Sequence, residues 1–418
     1  MTAPAPPPPP RTRIDSVDLV RGVTILVMLF VNDVAGVKSA PAWMKHIQPS
    51  TADGLTFVDV VFPAFLFIVG LSLPIALERR IAAVGTGLRL WAHILGRTLG
   101  LLVIGVLMVN SESIAENGPI SSQLWKFLMY FGAILTWHAP LRAADGSVRR
   151  TGWLKLLGAA LLVALAFLYR SREGGEALIQ LRPHWWGILG LIGWAYLVAC
   201  GAYVALRRHP AALAAAVGVL YCAYFADHVG FFTRLDMIGR WVSIGSTLGS
   251  HAAITVSGAV VGQMLLADSP IQSHRARVLW GLVLSGLMAA AAVLLHSLHG
   301  LDRMFIYNKN SATPAWCLIS SAYTVWCWVA AYLVVDVAGW RLGTGVLRRA
   351  GQNALLAYLL APLLYAAIEC LAPYWPDASL YWRLGESFDT GLARAIGFSV
   401  AVICLSAVLH KAGLRLQL

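Results

Sequence analysis

SVDLVRGVTILVMLFVNDVAGVKSAPAWMKHIQPSTADGLTFVDVVFPAFLFIVGLSLPIAL, residues 16–77, is two apolar runs around a short polar loop. Each run is long enough to cross a bilayer as a helix, which takes about 20 apolar residues. At the edges of the runs and between them stand Asn32, Asp33, His46, Asp53 and Asp59. Ionisable groups beside apolar spans are costly and mark candidate sites of binding or reaction. The stretch therefore points both to the fold, a bundle of membrane helices, and to the place where chemistry is expected.

The composition agrees. Of 418 residues 58% are hydrophobic and 12% charged, with mean hydropathy +0.69, whereas a soluble domain carries about 25% charged residues. Most of the surface must therefore meet lipid. The net charge of +12 is spread over short loops, with no Lys/Arg tract interleaved with aromatics. That argues against nucleic acid as a partner. Cys200, Cys222, Cys317, Cys327, Cys370 and Cys404 fall in or beside apolar runs and form no CxxC pair. They read as small apolar side chains rather than a disulfide framework or zinc site, and no metal is expected.

Outward from the first stretch, apolar runs recur near 17–37, 56–77, 88–109, 123–140, 152–169, 184–206, 210–226, 247–267, 277–298, 314–338, 352–373 and 391–410. The expected fold is all-α, a polytopic transmembrane helical bundle of about 11–12 spans. Residues 1–15, rich in proline, are expected to be a disordered cytoplasmic tail, and 16–418 a single transmembrane domain. Ala40-Pro41-Ala42 looks faintly like a cleavage site, but the run before it is long and ends in Asn-Asp, so an uncleaved first span is expected. Most bases fall in one set of alternate loops, among them Arg79/Arg80/Arg89, Arg142/Arg149/Arg150, Arg207/Arg208, Arg275/Arg277 and Arg341/Arg348/Arg349. The positive-inside rule puts that set and both termini in the cytoplasm, and the His46 loop on the outer face. Gly96/Gly100 and Gly258/Gly262 are spaced to let helices approach closely, whether within the chain or in a homodimer.

His46 is the first candidate for catalysis, since imidazole titrates near neutrality. Asn32 can orient an imidazole or donate to a developing oxyanion, or simply satisfy carbonyls at a helix end. Asp53 can hold the imidazole tautomer or bind a cationic substrate; its alternative is a turn residue before Gly54. Thr56-x-x-Asp59 reads as a capping-box-like helix start, and Asp59 is also a candidate substrate ligand. Pro63 is expected to kink the second span. Asp18 and Arg21 have the spacing of an i,i+3 ion pair. Arg21, and Arg97 inside the third span, are candidates for guiding an anionic cofactor from the cytoplasm, with Asn353 beside them. His251, Asn308, Lys309, Asn310 and Trp316 add polar or aromatic groups on the outer side. Walker A, GxSxG, HExxH and dinucleotide motifs are absent from the sequence.

Taken together, Ser16-Val17-Asp18…Arg21-Gly22, FVND at 30–33, WMKH at 43–46 and DGLTFVDVVFPAFLFIVG at 53–70 resemble the heparan-α-glucosaminide N-acetyltransferase family and its bacterial DUF5009-type relatives. WWGILGLIGWAYL at 185–197, the GSHAAITVSG region, NKNSATPAWCL at 308–318 and GQNALLAYLL at 351–360 look like later blocks of the same family. The resemblance implies a polytopic enzyme that takes acetyl from cytoplasmic acetyl-CoA and places it on an amino sugar across the membrane. It puts the family's catalytic histidine on His46 and the partner asparagine on Asn32, and implies the bacterial inner membrane as location. Asp53 stands where the lysosomal member has asparagine, and the Asn32–His46 spacing is longer, which leaves the acceptor open. A transporter for amino sugars or cell-wall fragments, and a glycan O-acetyltransferase, are the rival readings.

Overall fold

The computed structural model describes residues 14–140, 151–174, 177–239 and 241–418. Most of the proline-rich tail, together with Arg142, Arg149 and Arg150, lies outside the described residues. Each expected span contains a helix. These are α1 (Asp15–Val34), α2 (Val61–Val84), α3 (Leu88–Ser111), α4 (Ser122–Trp137), α5 (Gly152–Leu168), α6 (Ile188–Leu206) and α7 (Pro210–His228). The chain continues through α8 (Ala252–Gln263), α9 (His274–His296), α10 (Pro314–Tyr332), the short α11 (Gly345–Gln352), α12 (Ala354–Leu371) and α13 (Phe388–Lys411). Among the described residues extended pairing is limited to isolated bridges such as Ile114 with Ser171. Nine of the described helices are long and apolar enough to cross a membrane. Of the other expected spans, α1 is interrupted by Asp15, Asp18, Arg21 and Asp33, while α4 and α5 have 16 and 17 residues. The protein is an all-α polytopic membrane bundle.

Local chemistry sets the helix ends. Ser121 and Ser273 accept from the backbone N–H three residues on, opening α4 and α9, and Pro210 and Pro314 sit in the first turns of α7 and α10. Pro63 likewise falls in the first turn of α2, where a missing N–H costs no helical bond. The kink expected at Pro63 thus has no broken helical bond behind it; the proline inside α2 is Pro74. A 3-10 turn, Val58–Val60, precedes α2, and a π-helical stretch, Ile244–His251, precedes α8. Such irregular turns change the direction in which side chains leave the helix.

The centre of the bundle is the α2–α8 pair. In lipid, helices associate through close packing rather than the hydrophobic effect, and here glycine allows backbone-to-backbone contact. A Cβ on Gly70 would lie 1.8 Å from the Thr255 carbonyl oxygen, and one on Gly258 would lie 2.1 Å from that of Phe67. The small-residue face of Gly258 and Gly262 is thus consumed inside the chain, whereas Gly96 faces open space. The π stretch with α8 is 78% buried, against 17% for α7 and for α9, which places α8 centrally and α7 and α9 at the lipid-facing rim. Cys200 and Cys317 are buried as expected of small apolar side chains, while Cys222, Cys327 and Cys404 are on the surface.

Candidate active site

The loop between α1 and α2 folds onto Asp59. Thr56 N and Oγ1 each donate to Asp59 Oδ2 at 3.0 Å, and Ile47 N donates to it at 3.3 Å. Thr56 Oγ1 also lies 2.9 Å from the Lys45 carbonyl, closing the loop beside His46. With Oδ2 engaged by loop donors, Oδ1 takes His46 Nδ1 at 2.7 Å. An ionised carboxylate only accepts, so the proton stands on Nδ1 and the lone pair on Nε2. Trp316 Nε1 donates to the Asp59 backbone carbonyl at 3.2 Å, pinning the 3-10 turn to α10.

His46 opens on a cavity of about 800 Å³. Asn32 lines it from the last turn of α1; among the described residues no hydrogen bond joins Asn32 to His46. Trp185 and Trp241 supply an aromatic wall, and the π stretch delivers His251. His251 packs edge-on against Phe62 at 5.5 Å, and its Nδ1 has no protein partner among the described residues. Lys309 and Asn310 line the same cavity. Lys309 Nζ is 3.2 Å from His46 Nε2 and 3.4 Å from Nδ1. Burial pushes the Lys309 amine below its usual range, and the Asp59 carboxylate pulls it partly back.

A second cavity of about 400 Å³ is lined by Arg21, Arg80, His93, Arg97 and Asn353. Ile188, Leu189 and Tyr358 line both cavities. The two lie one beyond the other along the helices: α1 carries Arg21 to the second and Asn32 to the first, and α3 carries Arg97 to the second and Val109 to the first. Eleven residues of helix separate Arg21 from Asn32, an axial distance of about 16 Å. Arg97 lies over the Tyr196 ring, 4.8 Å from its centre, and its Nε has no protein partner among the described residues. Arg21 pairs with Asp18 at 3.3 Å, as the i,i+3 spacing predicts, and also reaches the Gly351 carbonyl at 3.2 Å.

Other expected site residues stand behind the cavity. Asp53 does not line it: Oδ2 accepts from His296 Nε2 at 2.8 Å and Oδ1 from Tyr307 N at 2.9 Å. The imidazole partner is Asp59, 13 residues from His46, rather than Asp53. Asp59 is itself 2% exposed, so it orients His46 from behind instead of meeting a ligand in the cavity. Asn308 is buried and donates to the carbonyls of Ser50 and Ala52 at 2.9 and 3.0 Å. Trp316 is fully buried. Asn353 lines the second cavity, but its amide is engaged by Leu414 O at 2.9 Å and Leu416 N at 3.0 Å. Asp33 forms a buried knot with Arg394 at 2.8 Å and the Tyr365 hydroxyl at 2.9 Å. Tyr358, where the cavities meet, is marked in the sequence only as the one aromatic residue of 351–360.

Fold and site define a multi-pass membrane protein with a His–Asp pair at the first of two adjoining cavities. The family model "Domain of unknown function (DUF5009)" matches residues 13–176, a segment holding His46, Asp59, Asn32, Arg21 and Arg97. Heparan-alpha-glucosaminide N-acetyltransferase of Homo sapiens is 34% identical over 113 residues, 27% of this chain and 16% of that protein. The Mus musculus protein of the same name is 34% identical over 109 residues, 26% of this chain and 15% of its own. The matched part of the chain thus spans about a sixth of the length of these curated relatives. These matches bear out the resemblance to that acetyltransferase family over part of the chain; the blocks at 185–197, 308–318 and 351–360 lie outside the residues that the family model matches.

Proposed function

We propose that the protein is a transmembrane acetyltransferase that takes acetyl from acetyl-CoA in the cytoplasm and delivers it to the amine of glucosamine or a glucosaminide on the periplasmic side. The observation that carries this reading is the meeting of an arginine-lined cavity and the His46 cavity at Tyr358. The relatives' names supply the reaction, and the positive-inside rule supplies the direction.

Phosphates of the donor are matched by Arg21, Arg80 and Arg97, since guanidinium is always charged and suits phosphate geometry. The acyl end then points along the helices towards His46. The acceptor's nitrogen attacks the thioester carbon, and the N–C bond forms as carbonyl electrons move to oxygen. Nε2 takes the amine proton, the intermediate collapses, and the C–S bond breaks to release the CoA thiolate. A positioned base of this kind contributes about 10²–10⁴-fold. The aromatic wall of Trp185 and Trp241 offers a face for a sugar ring.

The test is acetyl transfer by detergent-purified protein from labelled acetyl-CoA to a panel of glucosamine, chitosan oligomers and a sugar bearing only hydroxyls, with H46A in parallel. A labelled amide that disappears in H46A supports the reading. Label on the hydroxyl-only sugar instead makes the enzyme an O-acetyltransferase. No product and no donor binding defeats the acetyltransferase reading.

A further inference from the structure

Lys309 is 263 residues from His46 in sequence, yet its ammonium touches the imidazole. Its place relative to the ring follows from two distances. Nζ is nearly equidistant from Nε2 (3.2 Å) and Nδ1 (3.4 Å), whose in-plane directions diverge. In the ring plane, the equidistant point on the open side falls against the Cε1–H bond. The ammonium therefore stands over the face of the ring, where a cation meets π density. The in-plane lone pair of Nε2 stays open to the cavity.

This placement is fixed by both neighbours of Lys309. Asn308 Nδ2 and Asn310 Nδ2 each donate to the carbonyl of Ser50 at 2.9 Å, four residues after His46. Asn308 also receives Ser311 N at 2.8 Å, which shapes the turn. The loop bearing the lysine and the loop bearing the histidine are tied at one carbonyl. The cation is thereby held in register with the imidazole and lines the same cavity.

We propose that Lys309 is a catalytic residue that neutralises the oxyanion formed when the thioester is attacked beside His46 Nε2. The inference rests on the acetyltransferase reading and assigns a role within it. The attacking nitrogen must lie within hydrogen-bond reach of Nε2, and the acyl carbon is one bond beyond it. The carbonyl oxygen of that carbon then comes within reach of Nζ over the ring face. Electrons that leave the C=O bond on attack settle on that oxygen opposite the ammonium, and return when the C–S bond breaks. No proton leaves Lys309 in this step; the amine proton goes to Nε2. A fixed positive group aimed at developing charge acts chiefly on the transition state. The charges and titratable groups facing the ammonium are Asp59, His46 and His251.

The test uses the full chain in detergent, labelled acetyl-CoA and the acceptor found active in the panel, with K309M, K309Q and K309R. K309M and K309Q are expected to lose about 10²–10³-fold in kcat, with KM for donor and acceptor changed by less than about twofold. K309R, which keeps the charge, should retain more activity than either. The wild-type profile should fall on the alkaline side as the lysine loses its proton, and K309R should lack that limb. An unchanged kcat in K309M, or a loss confined to KM, overturns the proposal. Melting temperature reports folding, and K309Q carries the test if K309M does not fold. A wild-type protein inert with every acceptor defeats the acetyltransferase reading itself; an active wild type with an indifferent K309M defeats only the role of Lys309.

Discussion

Asp59 Oδ1 stands 2.7 Å behind His46 Nδ1, with the carboxylate side chain 2% exposed and the imidazole 47% exposed. One partner belongs to the protein interior and the other to the cavity. The buried partner holds the ring and its tautomer, and the exposed one offers Nε2.

D59N is expected to lower kcat by about 10²–10⁴-fold, because an amide no longer imposes a single tautomer on His46. Donor affinity, read by equilibrium binding of labelled acetyl-CoA, should stay close to wild type, since the arginine-lined cavity is untouched. Equal loss of binding and turnover in D59N would show instead that Asp59 holds the whole loop together.

N308A removes the donor to Ser50 and Ala52 and leaves two carbonyls to find other partners. A lost buried hydrogen-bonding group costs about 1–3 kcal/mol, so the melting temperature in detergent should fall. N310A, at an exposed position with one such bond, should fall less. A larger effect at Asn310 would contradict the burial argument.

G70A and G258A place a Cβ against backbone oxygen rather than against a side chain that can swing away. Both should give a lower melting temperature and less folded protein on size exclusion. G96A faces open space and replaces helical glycine by alanine, worth up to about 1 kcal/mol in favour of the variant. Comparable melting curves for G70A and G96A would mean that α2 and α8 are not in backbone contact.

Glu112, just beyond α3, stays exposed at the edge of the His46 cavity, and partial desolvation there raises its carboxyl, with Lys126 partly opposing the shift. A raised carboxyl means that, between the ordinary and raised values, the folded protein binds more protons than the unfolded chain. Stability contributed at this position is therefore present at low pH and lost as pH rises through that window. E112Q removes the dependence. Its melting temperature relative to wild type should be higher near neutrality than near pH ~4, where both states of wild type are largely protonated. A gain independent of pH would assign the effect to packing.

Every helix expected across the bilayer can be read from apolar runs, because span length and hydropathy are local properties. The ends are less legible. The first span is expected to reach residue 37 but α1 stops at Val34, and the sixth is expected from 184 but α6 starts at Ile188. Of the Thr56–Asp59 capping signal the structure keeps one half, Thr56 N donating to Asp59 Oδ2, while the N-cap of α2 is Val60 and has no side-chain cap. The pairing of Asp59 with His46 is not legible, because Asp53 and Asp59 are chemically alike and the one nearer in sequence, Asp53, is not the one the folded loop brings to the imidazole. Lys309 over the imidazole depends on α10 packing against the start of α2, which no periodicity encodes. The convergence of Arg21, Arg97 and Asn353 on one cavity likewise needs α1, α3 and the junction of α11 with α12 brought together.

The glycine contacts between α2 and α8 have a mechanical consequence. Helices whose backbones touch at Gly70 and Gly258 cannot slide or hinge past each other without a carbonyl colliding with a Cα. The 3-10 turn that presents Asp59 and the π stretch that presents His251 lead directly into these two helices. They therefore ride on a single stiff strut. A carrier that exposed its site alternately to each side by rocking these elements apart would have to break that strut in every cycle. A stationary reaction chamber, with reactants entering from opposite ends, leaves it intact.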